Sequence, residues 1–294
     1  MNPTFKASPH QIAAFTHAAR ERSFSKAAAV LNVTQPAVTQ HVAKLEEMIG
    51  TRLFIRRRSG LELTRAAKEL FDISDRIHVL EQLLAERMRD YSELDSGQLS
   101  IVANAPCPAM GLISDFKRLY PGVHVDFSLG VWNDTMALVK EREIDIGIIT
   151  EPDDVDGMHK IEIEKTRYIA LVRKNHALAK KKSVSMKELA RESLILPEQG
   201  SLTRRVFEER MDELDLWPAS VTTVSAFPLS KEAVLHGVGV AIILEGAYSP
   251  SSCLTSIPIR DWNKTFRTYI VCPSDKKELR LVRSFLELSS VERL

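Results

Sequence analysis

Gln35, Thr39, Gln40 and Lys44 lie toward one side of a segment whose other side, Val38, Val42, Leu45 and Ile49, is apolar. Glutamine can pair with adenine edges. Threonine can touch a thymine methyl or a phosphate, and lysine can meet phosphate or guanine. A few residues later Arg52, Arg56, Arg57 and Arg58 stand together between Leu53-Phe54 and Leu61-Leu63. Four arginines in seven residues repel one another unless a polyanion lies beside them. The chemistry available here is contact with a nucleic acid duplex, base edges on one element and phosphates on the next.

The elements that must position these residues follow from the pattern. Ile12, Phe15, Ala18 and Ala19 give one stripe on a helix over 9–22. Ser23 and Ser25 interrupt, and either can cap the short alanine-rich helix that follows. Asn32-Val33-Thr34 forms a break. Thr34 caps a helix from Gln35 to Ile49, with Pro36 in its first turn, where a missing amide hydrogen costs little. Gly50 ends it, and 51–64 reads as a hairpin turning at Ser59-Gly60. A solvated polar helix face would look similar alone; the short helix and tight break before it favour a helix that enters a groove. Residues 1–65 hold ten Lys/Arg and four Asp/Glu, whereas 66–294 hold thirty and thirty-five, so the basic head is the part that faces DNA.

From Phe15 through Leu63 the chain resembles the DNA-binding domain of LysR-type transcriptional regulators. It shows the Ser-Phe-Ser start, paired alanines, Gln-Pro-Ala-Val-Thr, Leu-Glu, Gly-x-x-Leu-Phe and an arginine-rich wing closing in Leu-Thr. The resemblance covers essentially the whole chain. It implies a winged helix-turn-helix over 1–64, contacting DNA through Ser25, Gln35, Pro36, Thr39, Gln40, Lys44, Arg52, Arg56, Arg57 and Arg58. Residues 65–93, free of Pro and Gly, carry Leu70, Ile73, Ile77, Leu80, Leu84, Met88 and Tyr91 at nearly seven-residue spacing. The resemblance makes this a linker helix that dimerises, and a homodimer or homotetramer follows.

Residues 97–294 alternate strand and helix, which suggests parallel sheets with helices on their faces. We expect an α/β effector-binding domain of two lobes, one over 97–164 and 270–294, the other over 165–269, resembling type 2 solute-binding proteins. Ligands in such sheets sit beyond the carboxyl ends of strands. The qualifying loops are Asn104-Ala105-Pro106-Cys107-Pro108, Val131-Trp132-Asn133-Asp134, Thr150-Glu151-Pro152 and 199–203. Ser201, Leu202 and Thr203, at a helix start, suit an anion, with Arg204 or Arg205 beside them. Glu151 suits a cation or ammonium group, and Trp132 and Phe227 a phenyl-sized body. Asn-Ala-Pro at 104–106, Thr-Glu-Pro at 150–152, the run from Ser201 and Ile-Arg-Asp at 259–261 are similar to LysR-type regulators associated with 2-aminoethylphosphonate catabolism. That likeness implies an anionic or zwitterionic effector. Cys107 reads as a small residue at the pocket edge rather than an oxidant sensor.

No Ser/His/Asp or metal constellation points to an enzyme, and the Gly237/Gly239 pair lacks a full nucleotide fingerprint. No cofactor is expected. The three cysteines show no ligand or disulfide spacing. No signal segment and no apolar run near the ~20 residues that span a bilayer is present, so we expect a cytoplasmic protein with no membrane partner. The partners are double-stranded DNA, a small-molecule effector and RNA polymerase. The rival functions are an enzyme on the α/β body, a solute-binding module and an architectural DNA-binding protein without a ligand.

Overall fold

The computed structural model describes residues 7–57, 60–88, 97–104, 106–225, 227–247 and 251–290. The chain divides into two compact units. The first holds residues 1–93 with the short stretches 141–143 and 278–280; the second holds the rest.

In the first unit, α1 (Pro9–Glu21), α2 (Phe24–Val30) and α3 (Gln35–Ile49) precede the hairpin β1 (Phe54–Arg57) and β2 (Gly60–Leu63), and α4 (Arg65–Met88) follows. Each boundary has a local cause. Ser8 accepts from the Gln11 amide while the Gln11 side chain returns to the Ser8 amide, a capping box. Ser23 caps α2 and Thr34 caps α3. Gly50 closes α3 with φ 70°, which glycine adopts without strain. Ala27 and Ala28 are buried, so small side chains let α2 approach α1 and α3. Val38, Val42, Leu45, Leu53, Phe54 and Leu61 complete one core with Phe15 and with Phe71 of α4. Glu46 ties reader to wing: its carboxylate accepts from the amides of Leu53 (2.7 Å) and Phe54 (3.3 Å).

Helix α4 has two faces. Ala67, Phe71 and Val79 are buried, and Asp75 accepts from Arg20 of α1. On the other side Ile73, Ile77, Leu80 and Leu84 are 60%, 41%, 63% and 62% exposed. Tyr91 and the expected linker end at Glu93 lie outside the described residues.

In the second unit, β3 (Gly97–Ala103), α5 (Pro106–Leu119), β4 (Val123–Leu129), α6 (Trp132–Lys140), β5 (Ile146–Thr150), β6 (Met158–Thr166) and β7 (Tyr168–Arg173) come first. Then follow α7 (Met186–Leu189), β8 (Ser193–Pro197), α8 (Leu202–Glu213), β9 (Ser220–Val224), α9 (Phe227–Leu235), β10 (Val240–Leu244), β11 (Leu254–Pro258), β12 (Phe266–Pro273) and α10 (Arg280–Glu287). Two five-stranded sheets result, ordered β4-β3-β5-β12-β6 and β11-β7-β10-β8-β9.

The sheets are mixed rather than purely parallel. β3 runs parallel to β4 and β5, but β12 is antiparallel to β5 and β6. β8 is parallel to β9 and β10, but β7 is antiparallel to β10 and β11. The chain passes from one sheet to the other between Thr166 and Tyr168 and returns after β11. The strands made at each crossing, β7 and β12, enter their sheets from the opposite end, so they run against their neighbours. The expected lobe border at 269/270 falls inside β12, which is one continuous strand from Phe266. The stretch from Pro106 to Pro108, read as loop, is the first turn of α5; prolines tolerate that position because its amides lack intrahelical acceptors. Trp132 and Asn133 likewise open α6.

Gly237 and Gly239 serve the backbone. Gly237 has φ 77°, and a Cβ at Gly239 would lie 2.1 Å from the Ser193 carbonyl oxygen. They let β10 pair beside β8, a packing role.

Candidate DNA-reading helix and effector cleft

On α3, Gln35, Pro36, Gln40 and Lys44 are exposed and Thr39 is half-buried, while Val38 and Val42 are sealed. Gln35 Nε2 donates to Thr39 Oγ1 (3.2 Å), whose hydroxyl donates to the Gln35 carbonyl (3.0 Å). This pair holds the glutamine amide along the helix start, with its oxygen unspent. Ser25 is exposed on α2. Arg52, Arg56 and Arg57 are exposed at the wing; Arg57 pairs with Glu62 across the hairpin (3.1 Å) and Arg56 lies over the Phe24 ring. Arg58 lies outside the described residues. The head therefore presents amide, hydroxyl and guanidinium groups together, with the opposite side of α3 packed through Val38, Val42 and Leu45.

Gln35→Ala with Thr39→Ala should lower preference for the cognate sequence about tenfold or more, because a good base-edge contact discriminates by ~1–3 kcal/mol. Affinity for unrelated duplex should change little. Competition binding against scrambled DNA reads the difference; equal losses on both duplexes would remove these side chains from base contact.

Between the two sheets lies a cavity of about 220 Å³. Its wall includes Asn104, Leu129, Trp132, Thr150, Tyr168, Ser201, Leu202, Thr203, Ser230 and Ile242. Trp132 is anchored by its indole N–H on the Thr150 carbonyl (2.8 Å), and Asn104 Oδ1 accepts from the Thr150 amide (3.1 Å). Tyr168 OH meets Thr203 Oγ1 at 3.0 Å. Burial pushes the Tyr168 phenol well up, and the Thr203 hydrogen bond offsets only part of this, so the group is a neutral hydroxyl.

The start of α8 opens on this cavity. Ser201 stands at the cap position but makes no side-chain capping bond. The first intrahelical bond is from the Arg205 amide to the Ser201 carbonyl (3.1 Å), so the amides of Leu202, Thr203 and Arg204 precede it. Ser230, on α9, is 4% exposed and lines the cavity, and among the described residues its hydroxyl has no hydrogen-bond partner. Arg204 is occupied by Glu208 (2.8 Å) and Thr223 (3.0 Å). Arg205 instead stacks on Trp132, its Cζ 4.5 Å from the ring centre.

The other expected cleft residues stand differently. Asn133 is exposed near Gly200. Glu151 is outside the cavity wall, and its Oε1 accepts from the Arg267 amide (2.6 Å). Cys107 is also off the wall; its thiol donates to the Ala247 carbonyl (2.8 Å). Burial, then Glu164, pushes that thiol up, against thiolate reactivity. Ala105 and the side chains of Pro106 and Phe227 lie outside the described residues. The sequence reading passed over Tyr168 and Ser230. Tyr168 heads the apolar run Tyr-Ile-Ala-Leu-Val, and Ser230 has no motif around it. Among the described residues, no group of three or more His, Cys, Asp or Glu could hold a metal ion, and no helix is long and apolar enough to cross a membrane.

Both units of the chain match known protein families. Residues 9–68 match the bacterial regulatory helix-turn-helix protein, lysR family, and residues 92–290 match the LysR substrate binding domain. The HTH-type transcriptional activator CmpR of Synechocystis is 27% identical over 289 residues, 95% of this chain and 93% of CmpR. The HTH-type transcriptional regulator CfxR of Cupriavidus necator is 28% identical over 79% of this chain and 74% of its own. In fold, a full-length OxyR variant from Pseudomonas aeruginosa superposes with a TM-score of 0.80 at 18% identity, covering 97% of this chain and 95% of OxyR. CbnR, solved with its target DNA, gives 0.55 at 19% identity over 95% and 97% of the two chains. The relatives are transcriptional regulators rather than enzymes. With both of its units matched, the chain belongs to the LysR family of DNA-binding transcriptional regulators, a helix-turn-helix head joined to an effector-binding domain.

Proposed function

We propose that this regulator responds to a small anion held in the cleft at the start of α8. The observation that carries the reading is the uncapped α8 terminus, with its three leading amides, in the same cavity as the hydroxyl of Ser230. Helix amides and the helix dipole favour an anionic group, and a hydroxyl on the cavity wall can donate to it. Arg205, stacked on Trp132, adds positive charge nearby. Leu129, Trp132 and Ile242 leave room for a short apolar body. Within this class an aminophosphonate is our specific candidate, its phosphonate at Ser201–Thr203.

The effector then biases how two heads of a homodimer or homotetramer are spaced on DNA, and with it the access of RNA polymerase. DNA as the target puts the protein in the cytoplasm.

Calorimetry of the full chain against small carboxylates, phosphonates and 2-aminoethylphosphonate tests this. An anion of this set should bind with measurable heat, and Ser230→Ala should weaken it about tenfold, since a hydrogen bond to a charged group contributes ~1.5–3 kcal/mol. Cations and neutral amines binding as well as the acids would sink the anion reading. Binding confined to carboxylates would remove the aminophosphonate but keep the site.

A further inference from the structure

The second lobe carries a basic flank that neither the head nor the cleft uses. Residues 173–192 hold seven Lys/Arg and two Asp/Glu, whereas the rest of the chain beyond residue 65 holds 23 and 33. Six of the seven, Arg173, Lys174, Lys180, Lys182, Lys187 and Arg191, are exposed and make no ion pair among the described residues. The seventh, Lys181, shares Glu188 with Arg260. Elsewhere in the same unit basic side chains mostly have partners: Lys165 with Glu162, Arg204 with Glu208 and Arg210 with Glu213.

Topology gathers these charges away from the cleft. The strand pairing sets Arg173 opposite Leu254, at the end of β7 remote from Tyr168. Arg191 precedes the start of β8, whose other end, Pro197, lines the cavity. Lys180, Lys182 and Lys187 lie on the turn after β7 and on α7, beside β11, where Val184 bridges Ile259.

We propose that this flank is a second DNA-contact surface, taking the phosphates of duplex that flanks the sequence read by the head. Unpaired lysines and arginines are what counterion release from DNA requires. A protein partner is the poorer fit. Protein interfaces have an apolar or aromatic centre and are depleted in lysine, and none of the exposed large apolar residues falls within 173–192. Contacts of this kind carry affinity and salt dependence but no sequence information.

The test uses the full chain without effector, and a duplex selected by that chain from random DNA. The duplex is prepared once trimmed to the bound site and once extended on both sides by unrelated sequence. The variant replaces Arg173, Lys174, Lys180, Lys182, Lys187 and Arg191 by glutamine. A charge-conserving control exchanges Arg for Lys and Lys for Arg at the same six positions. Wild type should bind the extended duplex more tightly and with a steeper dependence of log K on log salt. The glutamine variant should lose that gain, its slope falling by about 2.7 units if three phosphates are released at ~0.9 each. Its affinity for the trimmed duplex should stay within about twofold, and the control should match wild type. The proposal is overturned if the glutamine variant keeps the steeper slope, which would leave the flank to an acidic protein. It is equally overturned if the trimmed duplex suffers the same loss, or if the control fails alongside the glutamine variant.

Discussion

Leu80→Asp with Leu84→Asp should turn the protein into monomers and lower its affinity for a two-half-site duplex at least about 100-fold. Ile73, Ile77, Leu80 and Leu84 succeed one another at four, three and four residues, the spacing of a coiled-coil seam. All four are exposed in the single chain, while the opposite face of α4 is packed on the head's own core. A stripe this apolar on a helix face otherwise open to water needs a second surface. Each leucine buried there contributes ~1.5–3 kcal/mol. An aspartate in its place adds the cost of removing a charge from water. Two heads on one duplex gain from effective concentration, typically 10²–10⁴ in affinity, and a monomer forfeits that gain. Sedimentation equilibrium and DNA titration on the same sample measure both quantities. Dimers of unchanged stability would place the seam on another surface.

Asp145→Ala should destabilise the effector-binding unit by about 3–5 kcal/mol, the usual cost of orphaning a buried charge. Lys276 is 2% exposed and its Nζ donates to Asp145 Oδ1 (2.9 Å). The other carboxylate oxygen accepts from the Ser100 amide (3.1 Å) and hydroxyl (2.7 Å). One carboxylate thus joins the start of β5 to β3 and to the turn after β12. Asp145→Ala with Lys276→Met should recover most of the loss, because Lys276 is the sealed partner while the Asp145 side chain is 28% exposed, and replacing both members of such a pair is often close to neutral. Burial pushes the Asp145 carboxyl up, but the charge and hydrogen bond of Lys276 and the two donors of Ser100 outweigh it, so it sits below the ordinary carboxylate range. A folded-state value below the unfolded one means the contribution is complete above the unfolded pKa, ~3.9. It fades as pH falls through the lower folded value. Urea unfolding between neutral pH and pH 3 should show a steeper loss of stability in wild type than in the double variant. Identical pH profiles would show that the pair contributes nothing to acid sensitivity.

The head was legible from its residues because its determinants are local. Ser23, Thr34, Pro36 and Gly50 act within a turn of themselves, and the Val38-Val42-Leu45 stripe tells which side of α3 must be packed. What is left over, Gln35, Gln40 and Lys44, is the face available to a ligand. The body was legible only in outline. Alternating strands and helices announced two α/β lobes, but β6, with half-buried polar residues along its length, and the short β11 gave no clear alternation. Cys107 and Glu151 sat in plausible loops yet stand off the cavity wall, whereas Ser230, with no motif around it, stands on it.

Composition and short-range pattern, by themselves, determined that this chain has a DNA-reading head, a helix with an unsatisfied apolar seam and an α/β body. Capping, helical periodicity and charge all act over a few residues, so they can be read in order along the chain. Only the tertiary structure decided which side chains meet in the cleft and which cations remain unpaired on the second lobe. Those outcomes depend on the order and direction of strands far apart in sequence. When β7 and β12 enter their sheets against their neighbours, Tyr168 and Thr203 are brought within 3.0 Å, while Arg173 is carried to the opposite end.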